Sequence, residues 1–367
     1  MGIGISAHRL AGAVAREGAV GTISSIELRR HHPDLMERTG RCRDRGAMEQ
    51  ANLEALDREV RAARAACGPE GCVAVNVMRA VSQHEGLTRQ ACESGADAIV
   101  MGAGLPLDLP EVVRDHPDVA LIPILSEERG VRAVLRKWMR AHRLPAAIVI
   151  EQPRFAGGHL GSPRIDDVAD ARFDFDRVLA GISSVLAELG VERIPLVAAG
   201  GIHTHGQVLA LLAAGWSAVQ IGTPFAVTVE GDAHPNFKRV LAEARPQDIV
   251  TFLSTAGLPA RAVRTPWLAR YLEREGALRA AAGPATATCV VGMECLSHCG
   301  LKDGNPSAGQ FCIDLRLAAA LRGDVGEGLF FRGSEPLPFG SEIRPVRDLL
   351  TFLLTGVDPR APGAAAV

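Results

Sequence analysis

His159 stands among glycines, in Phe155-Ala156-Gly157-Gly158-His159-Leu160-Gly161. Of all the side chains it is the one whose type and context best suit moving a proton. Imidazole titrates near neutrality, and neighbouring glycines leave its ring little steric cover. A second constellation lies downstream, where the apolar run Pro195–Ala199 ends in Gly200-Gly201 and Ala218–Ile221 ends in Gly222-Thr223. Gln207–Ala214, rich in Leu and Ala, reads as the helix between them. Glycine turns after the last two strands of a (β/α)8 barrel let backbone N–H groups close on a phosphate, because no Cβ blocks the approach. The pair implies a phosphorylated cofactor or substrate.

The eight cysteines divide evenly. Cys42, Cys67, Cys72 and Cys92 are scattered and read as reduced, partly buried thiols. Cys289, Cys295, Cys299 and Cys312 fall within 24 residues, with gaps of five, three and twelve. Four thiolates suffice for a [4Fe–4S] cluster or a tetrahedral zinc. The outer gaps suit zinc knuckles less well, and packing without any metal is a third reading. His203 and His205 lack a nearby third ligand and read as phosphate contacts or helix-start polar groups rather than metal ligands. His234 reads as structural. His8, His31 and His32, beside Arg29, Arg30 and Arg38, read as a solvated loop that could also lid a cavity mouth.

Elements that could position these groups recur along the chain. Apolar runs at Gly21–Ser24, Val73–Val77, Ala98–Met101, Ala120–Ile124, Ala147–Ile150, Pro195–Ala199 and Ala218–Ile221 alternate with helical patterns. Continuous apolar strands between amphipathic helices predict parallel strands covered on both faces. A closed barrel needs one strand more. Met1-Gly2-Ile3-Gly4-Ile5-Ser6 looks like the tail of a first strand and its loop, running into a helix over Ala7–Glu17. The expected fold is α/β, a (β/α)8 TIM barrel whose first strand is short or missing. An open, doubly wound seven-stranded sheet is the alternative. Residues 230–275 read as helices, 276–340 as an Ala/Gly/Pro-rich stretch, Arg344–Leu354 as a last amphipathic helix and Asp358–Val367 as a frayed tail. The expected domains are a barrel over 1–245 and a mostly helical cap over 246–367 that carries the cysteine cluster.

Composition removes several function classes. At 47% hydrophobic and 22% charged the chain is globular. A formal net charge of −2 and 4% aromatics give no footprint for nucleic acid or an anionic membrane. No apolar run approaches the roughly 18 residues of a membrane span, and no signal peptide opens the chain, so a cytoplasmic protein is expected.

Three segments together carry a resemblance: Ala-Gly-Gly-His-Leu-Gly at 156–161, Ala-Ala-Gly-Gly-Ile at 198–202 and Gln-Ile-Gly-Thr-Pro-Phe at 220–225. In this order they resemble the nitronate monooxygenase (2-nitropropane dioxygenase-like) family of FMN-dependent (β/α)8 barrels, to which the flavin-dependent enoyl-ACP reductases are similar. Gly2–Ser6, Leu10–Val14, Gly18–Gly21 and Val75-Asn76-Val77 fit the same pattern, over roughly residues 1–245. The resemblance implies that Gly200, Gly201, Gly222 and Thr223 cradle the FMN phosphate and that Asn76 meets the flavin or its ribityl chain. Gly102, Gly104, Gly157 and Gly158 would border the cofactor, Gly2 and Ser6 would fall near its ring, and His159 would serve substrate binding or proton abstraction.

The reaction so implied is oxidation of an alkyl nitronate with dioxygen to a carbonyl compound and nitrite. Other relatives imply NAD(P)H-dependent reduction of an enoyl thioester or quinone. No Gly-x-Gly-x-x-Gly opens a βαβ unit, so a nicotinamide would visit the same pocket transiently. Cys295, Cys299 and Cys312 resemble the spacing in iron–sulfur flavoenzymes of the 2,4-dienoyl-CoA reductase type, which would favour a reductase. A flavin-free phosphosugar isomerase or aldolase-like barrel is the reading from another class.

Overall fold

The protein is described by a computed structural model over residues 2–191 and 193–361. Seven parallel strands form one sheet: β1 (Val20–Ser24), β2 (Cys72–Met78), β3 (Ala98–Gly102), β4 (Ala120–Leu125), β5 (Ile148–Glu151), β7 (Leu196–Ala199) and β8 (Ala218–Gln220). β6 (Gly158–His159) belongs to a second sheet. The large sheet follows chain order throughout, as right-handed strand–helix–strand connections dictate. Side chains alternate as a barrel requires. Ala74, Ala98, Val100, Ala120, Ile122 and Ile124 form an inner cluster, while Val73, Val75, Val77, Ile99 and Leu121 join the main core with the helices.

The sheet is curled, because its two edge strands reach one cavity: Val20 and Thr22 of β1 line it, and so do Ala218–Gln220 of β8. Among the described residues no strand pairs between those edges. The opening segment lies along β1 instead, with the Ser24 N–H donating to the Ser6 carbonyl at 2.9 Å and Ser6 Oγ to the Thr22 carbonyl at 2.6 Å. This is the barrel with a short or missing first strand. Outside the seam, helix Val346–Thr355 joins its neighbours through Val346 against Leu10 and Val14, and through the Leu353 carbonyl, 2.9 Å from His205 Nδ1.

Residues 230–275 depart from the helical expectation. Helices do form at Pro235–Glu243 and from Pro266 onward, but between them lies an antiparallel hairpin of β9 (Ile249–Leu253) and β10 (Pro259–Val263). β10 continues into the barrel loop, pairing Ala260 with His159 and Arg261 with Gly158. The β-branched run Ile249-Val250-Thr251 and the turn at Gly257 explain the strands. Phe252 packs on Phe311 at 6.4 Å between ring centres, and Phe311 in turn meets Trp267 (5.2 Å) and Tyr271 (4.9 Å), which ties the hairpin to the helix that follows. Helix Val346–Thr355 matches the expected last helix; of the tail expected over 358–367, residues 362–367 lie outside the described residues. No described helix is long and apolar enough to cross a membrane.

Candidate active site

A cavity of about 1170 Å3 opens at the C-terminal ends of the strands, where barrel enzymes carry their chemistry. Asn76, Gly102, Gly104, Gly157, Gly158, His159, Gly200, Gly201, Gly222 and Thr223 all line it, as do Gly2 and Ser6. Residues spread over more than two hundred positions of sequence therefore share one cavity.

His159 is held by backbone on one side and by packing on the other. Its strand pairing with Ala260 fixes the main chain, and its ring lies 5.9 Å from that of Phe331. The turn before it is pinned by Arg261, whose guanidinium donates to the carbonyls of Ala156 (2.5 Å) and Pro153 (3.3 Å). Gly157 has no room for a side chain, since a Cβ there would fall 2.5 Å from the backbone of Arg332 and Gly333. Nε2 of His159 sits 3.0 Å from Ser254 Oγ in a hydrogen bond. Burial pushes the imidazole pKa down to about 4, so the ring is neutral at pH 7. Glu151, the last residue of β5, also lines the cavity; burial raises its carboxyl to about 7.

The glycine turns fit a phosphate. Gly200 and Gly201 have φ of +102° and +78°, a region closed to most side chains, and a Cβ on either would come within 2.9 Å of Gln152 or Phe155. A Cβ on Gly222 would meet nothing within 4 Å. The N–H groups of Gly200, Gly201, Gly222 and Thr223 donate to no partner among the described residues. These four unpaired backbone donors border one cavity, the kind of nest an anion fills. Asn76 is buried, and its side-chain amide donates to the Val100 carbonyl at 3.1 Å while the residue borders the cavity.

Of the other histidine candidates, His203 lines the same cavity. His203 Nδ1 bonds the Gly201 carbonyl at 2.8 Å, His205 reaches Leu353, and Thr204 caps the helix that follows. His234 caps helix Pro235–Glu243, as its structural reading expects. The stretch around His8, His31 and His32 is not a solvated loop. Glu59 lies buried between His8 (2.7 Å) and His32 (3.0 Å), and His31 bonds the Gly4 carbonyl at 2.8 Å. Burial would raise the Glu59 pKa, but the hydrogen bonds from His32 and His8 outweigh it and hold it below the ordinary range. Arg29 and Arg30 both pair with buried Glu27 at 2.9 Å, and Arg30 also reaches Asp314. Charge runs look solvated in sequence when their partners, here Glu59 and Asp314, are distant along the chain. The four C-terminal cysteines line a second, smaller cavity, and Cys295 borders the large one too.

Glu151 and Ser254 were not singled out from the sequence. The first carried a signal, a carboxylate closing an apolar strand run; the second depends on a hairpin read as helix.

The sequence profile of the family described as nitronate monooxygenase matches residues 1–356. The chain belongs to the nitronate monooxygenase family. Among similar proteins, a probable nitronate monooxygenase of Bacillus subtilis (strain 168) is 30% identical over 145 residues, covering 40% of this chain and 35% of the relative. A putative monooxygenase of Mycobacterium tuberculosis is 31% identical over 166 residues, covering 44% and 37%. The matched segments thus span about a third of the length of these relatives. Two solved structures share the fold. Nitroalkane oxidase from Streptomyces ansochromogenes aligns with a TM-score of 0.63 at 21% identity, covering 96% of this chain and 92% of that one. FabK from Thermotoga maritima aligns with a TM-score of 0.61 at 22% identity, covering 96% and 90%. Family membership and fold agree with the order of motifs at 156–161, 198–202 and 220–225.

Proposed function

We propose that this family member binds FMN and oxidises alkyl nitronates with dioxygen to a carbonyl compound and nitrite. The observation that carries the reading is that two glycine turns with unpaired backbone donors, Gly200–Gly201 and Gly222–Thr223, line the same cavity as a neutral histidine. FMN, when bound, supplies the redox chemistry. The protein's part is binding, orientation and proton management.

The nest amides hold the phosphate by hydrogen bonds that its negative charge strengthens. His159 has two roles open to it in a site that disfavours charge. A neutral nitroalkane presents an α-proton, and Nδ1, the ring nitrogen not bonded to Ser254, accepts it as a nitronate anion forms alongside the imidazolium. That anion raises the imidazole pKa and offsets the desolvation that lowered it. With preformed nitronate the same ring needs only to donate a hydrogen bond. Ser254 Oγ orients the ring for either role. Glu151, in its protonated form below pH 7, adds no negative charge to repel the anion.

The deciding experiment is anaerobic titration of the FMN-loaded protein. Bleaching of the flavin by ethyl nitronate, with restoration on admitting dioxygen, supports the reading. Bleaching by NADPH alone, with no response to nitronate, would replace it with an NAD(P)H-dependent enoyl-thioester or quinone reductase.

A further inference from the structure

The C-terminal cysteines come from three separate stretches of chain. Cys289 lies in the loop after helix Pro266–Ala280, Cys295 and Cys299 lead into the short turn Gly300–Asp303, and Cys312 caps helix Ile313–Leu321. All four line the same small cavity. None is joined in a disulfide. We propose that these four thiols are the ligands of a [4Fe–4S] cluster, a site separate from the nest at Gly200 and Gly222.

The spacing of the sulfurs chooses between metals. Tetrahedral zinc with Zn–S bonds of about 2.3 Å draws its ligand atoms to roughly 3.8 Å from one another. Among the described residues, only His84, Glu85 and Asp108 bring three ligand atoms within 4.8 Å of each other, so no three of the cysteine sulfurs do. A cubane places each thiolate on its own iron, at the corners of a wider tetrahedron. Four cysteines line one cavity with no three sulfurs mutually within 4.8 Å, which suits a cluster held at separate irons better than one ion.

The loop is built into the barrel rather than draped over it. The Ser82 N–H donates to the Cys295 carbonyl at 3.1 Å and the Ser297 N–H to the Ala80 carbonyl at 2.9 Å, which ties the loop to the segment after β2. The Gly300 N–H donates to the Thr255 carbonyl at 2.6 Å, and Thr255 Oγ1 lies 3.3 Å from Cys299 Sγ. Hydrogen bonds to ligand sulfur orient it and tune a cluster's potential. Thr255 follows Ser254, the partner of His159, so one hairpin corner serves both sites. Met293, Cys295, Leu296, Ile313 and Asp314 line both cavities and form the wall between them. A cluster here would be one layer of side chains from the flavin.

Anaerobic purification followed by iron, sulfide and zinc analysis tests the site. The expected result is about four iron and four sulfide per chain, with broad visible absorbance persisting after FMN is removed. Protein isolated without iron should acquire both on anaerobic incubation with ferric and ferrous iron in equal amounts and sulfide. Cys295→Ser and Cys312→Ser should lose the iron while still binding FMN, and Cys42→Ser should keep it. One zinc per chain, or no metal after reconstitution of wild-type protein that binds FMN, would overturn the proposal. The wild-type analysis decides the matter even where a variant fails to fold.

Discussion

Nε2 of His159 and Oγ of Ser254 lie 3.0 Å apart, joining the barrel loop to the corner of the β9–β10 hairpin. The residues are 95 positions apart in sequence. The hairpin therefore acts as a support for the imidazole, with the Ala260–His159 strand pairing fixing the backbone and Ser254 fixing the ring.

Removing the imidazole should separate the two roles. In His159→Ala, turnover of neutral nitroalkane is expected to fall roughly 10²–10⁴-fold, the range of a lost general base. Turnover of preformed nitronate should fall less than about tenfold, with FMN still bound. Steady-state rates on both substrates check this, and equal losses would assign the residue to binding alone. Ser254→Ala should give the same pattern in weaker form.

Glu151 is expected to set an alkaline limit. Its carboxyl, raised to about 7 by burial, is neutral below that pH and charged above it. An added negative charge in the cavity opposes an anionic substrate, so KM for nitronate should rise as pH increases through 7. Glu151→Gln should flatten that rise without moving the acid limb. A pH profile of kcat/KM unchanged by the substitution would remove Glu151 from the site.

The two glycine turns should respond differently to a methyl group. Gly222→Ala places it in open space at the nest, so FMN affinity should drop while Tm stays near wild type. At Gly200, φ of +102° and a Cβ contact of 2.9 Å to Gln152 add a folding cost of roughly 1–3 kcal/mol. Thermal melts with and without FMN distinguish the two.

Stability should carry the signature of the buried Glu59 with its two histidines. The Glu59 pKa is depressed on folding, so its contribution is complete above about 4.5 and is lost as pH falls through the folded value. His8 is raised, chiefly by its hydrogen bond to Glu59, so its contribution is complete below about 6.5 and is lost as pH rises through the folded value. Both are fully present between those limits. Glu59→Gln should cost about 1–3 kcal/mol there and weaken the pH dependence on both sides. Denaturant unfolding at three pH values measures it.

The sequence made the barrel legible because buried parallel strands need unbroken apolar runs. The run Ala120–Ile124 became β4 with one residue added, and Ala98–Met101 became β3 likewise. Glycine positions were legible for a similar reason: at Gly200 and Gly201 only that residue tolerates the backbone. What stayed hidden depends on partners remote in sequence. Ser254 has meaning only once β10 pairs with the His159 loop. Arg30 looks like surface charge until Asp314, 284 positions away, is seen beside it. Glu151 was an ordinary strand-end carboxylate until the cavity closed round it.

The central claim is that backbone amides at Gly200–Gly201 and Gly222–Thr223 grip a flavin through its phosphate. Titrating the flavin-free protein with FMN and with riboflavin tests it directly. FMN is expected to bind at least about tenfold more tightly, a difference of ~1.4 kcal/mol or more from the phosphate alone. Equal affinity for the two flavins, or binding of neither, would contradict the account.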